Sequence, residues 1–397
     1  MTLSIAFDAT PLLIPRSGIG SYTLELLRAY DKLEHTLRLT MLSNRPLPAP
    51  LNLPHILQKT LPFPSRWLWL HTKFSQAIQA GDYDLAHFPN NSAPLNLKKP
   101  YVLTIHDASL YRFPECHPWQ RKVTIKAFLP AAARRAAQII TVSDHAKREL
   151  MHYLNLPESK FTVVHEAAGE QFRPIQDPQQ IAALNHKYNL PAHFILSVGT
   201  QEPRKNLPRL IEAYAQHIAQ DRHLKRYKLL IVGGNGWGQA TLDAQIERLG
   251  LTKQVIRLGF VPDADLPALY TRASLFVYPS LHEGFGLPPL EAMACGTPVL
   301  TSLGTAMEEV CDNGAAFCDP LHVEDIGRHI ATLLSNGEQR LDLRQRGFQT
   351  TARYSWQRTA PETLQVYANV LASKRHPAHN QHFQPASHPL QISKSYD

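Results

Sequence analysis

Cysteine is scarce and scattered in this chain: four in 397 residues, Cys116, Cys295, Cys311 and Cys318, with no C-x-x-C pair. That spacing argues against a disulfide-stapled scaffold and a thiolate metal cluster, and three of the four fall in or beside apolar core segments, where reduced structural thiols belong. Long apolar runs are also missing, since none approaches the ~20 residues that span a bilayer. The opening MTLSIAFDAT has no basic stretch leading into an apolar one and a small-residue cleavage site. A cytoplasmic protein is therefore expected. Acids are the minority charge, 33 Asp and Glu against 41 Lys and Arg, and the net +8 implies an anionic partner. Nucleic acid is not expected as that partner, because the cations are dispersed and no stretch interleaves aromatics with a basic groove of a known module.

What is present is ample apolar content, 44% of residues, in a length that suits two domains. From residue 1 to about 170, strand-like runs (LSIAFDA, LRLTMLS, DLAHFP, YVLTIHD, QIITVS, FTVVHE) are separated in several places by helical patterns, one of them capped by Ser143. The pattern then restarts with HFILSVGT, YKLLIVGG, VIRLGFV, SLFVYPS, TPVLTS and GAAFCDP. This is α/β organisation with parallel strands, repeated twice: residues 1–175 and 176–355 as two doubly wound, Rossmann-like domains. A shared ligand would lie beyond the carboxyl ends of the strands, in the cleft between the domains. Residues 374–397 are rich in His, Pro, Gln and Ser without periodicity, the composition of a disordered tail.

The chemistry concentrates in LHEGFGLPPLEAMACGTPVL, residues 281–300. A buried strand ends just before it, Gly284 and Gly286 permit close approach of a ligand to the backbone, and a helix opens at Pro288 and Pro289 and stops at Gly296. Free N–H groups at that helix start form an anion site. Glu283 and Glu291 bracket the loop. A carboxylate aimed at a diphosphate would repel it, so both acids are read as acceptors for hydroxyl groups on either side of the phosphates, which describes a nucleotide sugar. The cations come from ILSVGTQEPRKNLPRLIEAY, where a strand runs to Gly199 and Arg204 and Lys205 stand at the mouth of the next helix. Two cations there oppose the helix dipole, and a diphosphate relieves the conflict.

EPRKN, the run from GFVPDADL through HEGFGLPPLEAMACGTPV, and the early PRSGIGSYTLELL resemble the retaining glycosyltransferases of family 4, over most of residues 3–370. The resemblance implies the GT-B fold, with a terminal helix over about 356–373 crossing back onto the first domain. It implies that Glu291 holds the donor ribose, that Glu283 holds the transferred sugar, and that the N–H groups of Gly284, Phe285, Gly286 and Leu287 touch sugar and phosphate. Arg204 and Lys205 would neutralise the diphosphate, while His106 would contact the donor sugar near the reacting carbon. Gly18 and Gly20 of SGIG would allow close approach from the first domain, and the backbone near Gly259, Phe260 and Val261 would read the base. The EPRKN variant resembles the mannosyltransferases of the family and favours GDP-mannose, with UDP- and ADP-linked hexoses open. Glycan or lipid-linked saccharide is the implied acceptor, and front-face substitution with retention the implied mechanism.

No cofactor or metal is expected. Of the two D-x-D patterns, Asp82 and Asp84 precede a strand and lie at the wrong end of the sheet, and Asp263 and Asp265 read as helix caps before LPALY. FPSRWLWLHTKFSQAIQA sets Trp67, Leu68, Trp69 and Leu70 among Arg66, His71 and Lys73, a composition that suits an anionic membrane surface, a core helix or an acceptor-groove wall. The competing readings of the whole are a nucleotide-sugar epimerase of the same architecture and a non-catalytic nucleotide-sugar-binding protein.

Overall fold

In the computed structural model, residues 3–13, 18–33, 37–48, 50–234, 236 and 239–375 are described. Ser17 and the tail from residue 376 onward lie outside them. Seven parallel strands form the first sheet: β1 (Leu3–Asp8), β2 (Leu37–Ser43), β3 (Leu57–Thr60), β4 (Leu85–Phe88), β5 (Tyr101–Thr104), β6 (Gln138–Thr141) and β7 (Phe161–Val163), in the order β3-β2-β1-β4-β5-β6-β7. Six parallel strands form the second: β8 (Phe194–Val198), β9 (Lys228–Val232), β10 (Val255–Gly259), β11 (Leu275–Tyr278), β12 (Val299–Ser302) and β13 (Ala316–Cys318), in the order β10-β9-β8-β11-β12-β13. In each sheet the winding reverses between the first strand and the fourth, β1 beside β4 and β8 beside β11. A crevice for ligand opens at such a reversal, beyond the carboxyl ends of the strands.

Alternation along the strands builds two layers on each sheet. Ile5 and Phe7 of β1 face the helix Gly18–Asp31, whereas Ala6 faces Trp69, Phe74, Leu129 and Ala132 on the other side. In β8, Ile195 packs with Leu210, Ile211 and Tyr214, while Phe194, Leu196 and Val198 pack with Leu266, Leu269 and Tyr270. All four cysteines are free and buried.

The helix Trp356–Arg375 returns to the first sheet. Trp356, Ala360, Val366, Tyr367 and Val370 enter the same core as Tyr22, Leu26 and Tyr30. Tyr367 ties the two parts by polar contacts as well: its hydroxyl lies 2.9 Å from the Tyr30 hydroxyl and 2.5 Å from Nδ1 of His87 in β4. The His87 ring is fully buried, which pushes its pKa down to about 3.

Three local expectations change. The edge strand β3 has no counterpart among the expected strands, because Leu57, Gln58 and Lys59 are exposed and give no buried run. The segment Arg66–Ala80 is divided rather than wholly surface or wholly core: Trp69 and Leu70 are buried, and Trp67 and Leu68 are each 45% exposed. Asp263 and Asp265 form a 3-10 turn before the helix Leu266–Arg272. Asp265 already has a helical backbone, whereas a capping residue is extended, and its carboxylate accepts from Lys187 at 2.7 Å and Tyr188 at 2.6 Å.

Candidate active site

The crevice of the second sheet is framed by two loops, one after β8 and one after β11. Asn206, the last residue of EPRKN, fastens them together from a left-handed backbone position (φ 59°): its Nδ2 donates to the carbonyls of Pro279 at 3.0 Å and Pro320 at 2.6 Å. That lock fixes the preceding Arg204 and Lys205 over the carboxyl end of β11.

Glu283 lies at the centre of what they reach. Its carboxylate accepts from Lys205 Nζ at 2.6 Å, Ser280 Oγ at 2.6 Å and the Tyr278 hydroxyl at 3.0 Å, and pairs with Arg204 at 2.8 Å. Arg204 also donates to Glu202 and to the carbonyl of His282, each at 2.6 Å. Burial would raise the Glu283 pKa, but the charges of Arg204 and Lys205 outweigh it and hold the carboxyl well below its usual range. Burial likewise works against the charged Arg204, and Glu283, Glu202 and Asp107 reverse the balance. The conflict between adjacent cations and the helix dipole is therefore already relieved by Glu283 and Glu202 within the protein.

Beyond Glu283 the chain turns at Gly286 (φ 105°) into the helix Leu287–Ala294, which is followed by Gly296 at φ 76°. The first N–H groups of this helix have no partner within it, as at any helix start. Glu291, inside that helix, accepts from the Tyr270 hydroxyl at 2.9 Å. Gly199 borders the side chains of Lys205 and Tyr278. Phe260 is exposed, and the Val261 side chain is buried in the core. Phe285 and Leu290 pack with Val142 of the first domain and Val310.

The first domain closes on this loop. A Cβ at Gly284 would overlap the carbonyl oxygen of His106, so glycine is what lets the two domains meet there. Ser143 Oγ donates to the Gly284 carbonyl at 2.6 Å. Asp107 faces the same cluster: burial raises its pKa, but the charge of Arg204 leads the effects that lower it, to about 2. His106 follows β5 and stands where the two domains meet. Its Nδ1 meets Glu166 at 2.9 Å and its Nε2 the Pro89 carbonyl at 2.9 Å, so both ring nitrogens are engaged inside the first domain and its carbonyl is what abuts Gly284. Burial opposes its protonation, and Glu166 nevertheless raises the pKa. Gly18 and Gly20 open the helix Gly18–Asp31, with clear space where a Gly18 side chain would stand.

Tyr278, Ser280, Asn206, Asp107 and Glu166 are the site residues that the sequence reading gave no role. Asp84 binds the Ser4 N–H at 2.9 Å and Asp82 pairs with Arg38 at 3.0 Å, both at the amino-terminal edge of the first sheet and far from this crevice in the topology.

Comparison with known proteins agrees with this architecture. Residues 16–167 match the profile described as Glycosyltransferase Family 4, and residues 183–350 that of Glycosyl transferases group 1. The O-antigen chain mannosyltransferase B of Escherichia coli is 33% identical over 384 residues, 92% of this chain and 99% of that protein. The chain belongs to glycosyltransferase family 4. The transferase is also 35% identical over 254 residues to the serotype-specific mannosyltransferase WbdA of Escherichia coli, covering 62% of this chain and 30% of that longer relative. Its fold matches that of Anabaena HepE, solved in complex with UDP and glucose, with a TM-score of 0.75 at 20% identity over 92% of this chain and all of that one. The transferase thus has the GT-B fold. Among the described residues, no helix is long and apolar enough to cross a membrane.

Proposed function

We propose that this glycosyltransferase moves mannose from GDP-mannose to a hydroxyl of a growing glycan or lipid-linked saccharide, with retention at the anomeric carbon and without a metal. The observation that carries the reading is the buried cluster of Glu283, Arg204 and Lys205 at the reversal between β8 and β11. Names of the relatives supply the sugar, and the EPRKN variant favours the guanine nucleotide.

In this reading the diphosphate accepts from Arg204, Lys205 and the N–H groups of Gly284 to Leu287, while Glu283 accepts from hydroxyls of the transferred sugar. The ribose hydroxyls meet Glu291. As the sugar–phosphate bond breaks, positive charge grows on the anomeric carbon and negative charge on the leaving oxygen, and preorganised cations at the phosphate lower that barrier. The acceptor oxygen bonds the anomeric carbon on the face the phosphate leaves, and the leaving phosphate oxygen takes the acceptor proton.

The test is thermal unfolding with GDP, UDP and ADP, followed by product analysis with GDP-mannose. GDP should raise the transition, and Glu291→Ala should abolish the rise; a ligand at 100 times its Kd adds about 2.7 kcal/mol. Conversion of the donor alone, without acceptor, would instead identify an epimerase. Indifference to all three nucleotides at millimolar concentration would reject the donor site.

A lipid-linked acceptor also requires a surface that meets the membrane. Trp67 adjoins the helix Trp119–Arg135, whose Phe128 ring is 5.6 Å from its own. Trp119 and Val123 on this helix are 66% and 61% exposed. Arg121, Lys122 and Lys126 lie among them, and the sequence holds no acid between Glu115 and Asp144. Exposed aromatics and cations along this helix suit an anionic bilayer. Binding to anionic but not neutral vesicles, reduced by Trp119→Ser with Lys122→Glu, is the expected result; equal binding to both vesicle types would overturn this surface.

A further inference from the structure

Beside the active-site loop the two domains meet at a second cluster that the transfer chemistry does not use. The helix Asp144–Leu154 of the first domain sets His145 and Glu149 one turn apart, and His282, from the loop after β11, faces them. His282 Nε2 lies 2.6 Å from Glu149 Oε2, His145 Nε2 lies 3.4 Å from Oε1, and the ligand atoms of all three residues fall within 4.8 Å of one another. Their side chains are only 1%, 17% and 11% exposed for His282, His145 and Glu149. Nε2 of His145 is shut away from solvent without a well-formed hydrogen bond.

Two imidazole nitrogens and one carboxylate oxygen, completed by a water as fourth ligand, would make up the donor set of a tetrahedral zinc-type site. Imidazole ligands select zinc, copper or nickel over magnesium and calcium. Metal–ligand bonds of about 2.0–2.2 Å put neighbouring ligand atoms roughly 3.3 Å apart. Small rotamer shifts would open the short contact and draw in the wide one. Arg112, 2.5 Å from Glu149 Oε1, would orient the carboxylate from outside, as supporting groups do around bound metals.

We propose that His145, Glu149 and His282 bind one zinc-class divalent ion across the two domains and that this ion, by holding the cleft shut, inhibits the enzyme. Donor access and product exit need the domains to part, and ligands from both sides tether them. Binding stands independently of the donor assignment; the effect on turnover rests on the proposed transfer reaction.

The experiment uses the full-length chain freed of metal by chelator dialysis and titrated with Zn2+ and Co2+. His376, His379, His382 and His388 of the tail give the same background in every variant. Wild type should bind one ion more than either His145→Ala or His282→Ala, with Co2+ bands of a tetrahedral site that both variants lack, and excess Mg2+ should not displace it. Zinc should slow sugar transfer at least several-fold in wild type and leave His145→Ala unaffected. Equal ion counts and affinities in wild type and His145→Ala would overturn the site, and loss of the ion in only one of the two variants would overturn the bridge between domains. An extra ion that leaves transfer at full speed would overturn the inhibitory role. A chain that binds the extra ion and transfers no sugar under any condition counts against the transfer reading and leaves the site standing.

Discussion

At the scale of single residues, the site is an ion cluster whose members hold one another in place. Removing Arg204 leaves Glu283 with a buried charge deprived of one partner, and breaking a buried pair from one side costs about 3–5 kcal/mol. Arg204→Met should therefore destabilise the chain by that order, and Arg204→Met with Glu283→Gln should cost distinctly less than the sum of the two single changes. Urea unfolding of the four proteins checks it; strict additivity would mean the pair is not coupled. Because the folded pKa of Glu283 is depressed, its contribution is present above the ordinary carboxylate range and is lost as pH falls below it, so Glu283→Gln should flatten the acid limb of the stability curve. Glu283, Arg204, Lys205 and Glu291 were legible in the sequence because glycine and proline punctuation marks their loops. That one acid binds both cations was not, since the pairing joins residues 78 positions apart. The partner of the His106 ring was hidden for the same reason: nothing local shows that Glu166, 60 positions on, meets its Nδ1.

Among the elements, strands buried on both faces read clearly as short apolar runs, and twelve of the thirteen correspond to expected segments. The missing β3 is polar and exposed, so only its pairing with β2 makes it a strand. The returning helix Trp356–Arg375 shows most clearly what sequence spacing leaves out: its apolar face is legible, but its anchor, the His87 to Tyr367 contact, spans 280 positions. That anchor predicts a pH response. The folded pKa of His87 is about 3, below the ordinary 6.5, so its stabilising contribution is complete above 6.5 and is lost as pH falls toward 3. The loss runs at about 1.4 kcal/mol per pH unit for one proton. His87→Gln, which keeps a donor and an acceptor, should flatten Tm between pH 6 and 4; an unchanged slope would assign the acid sensitivity to other groups.

For the molecule as a whole, the two domains are drawn together at Gly284, where only hydrogen fits beneath the His106 carbonyl. Gly284→Ala should hold the cleft ajar, and a misplacement of about 1 Å costs on the order of 100-fold in rate. Small-angle scattering with GDP should then show no compaction while the thermal shift by GDP persists. Compaction equal to wild type would remove this contact from the closing motion. The helix Trp356–Arg375 carries a different consequence, one of timing. Synthesis delivers the first sheet early, yet Tyr22, Leu26 and Tyr30 are sealed by Trp356 and Tyr367, the last described stretch to leave the ribosome. Throughout translation of the second domain the nascent first domain carries an uncovered apolar face, the condition under which chains aggregate or recruit chaperones. A chain that stalls or is clipped before residue 356 therefore leaves that face permanently open, which makes completion of the helix Trp356–Arg375 a checkpoint on whether the first domain survives.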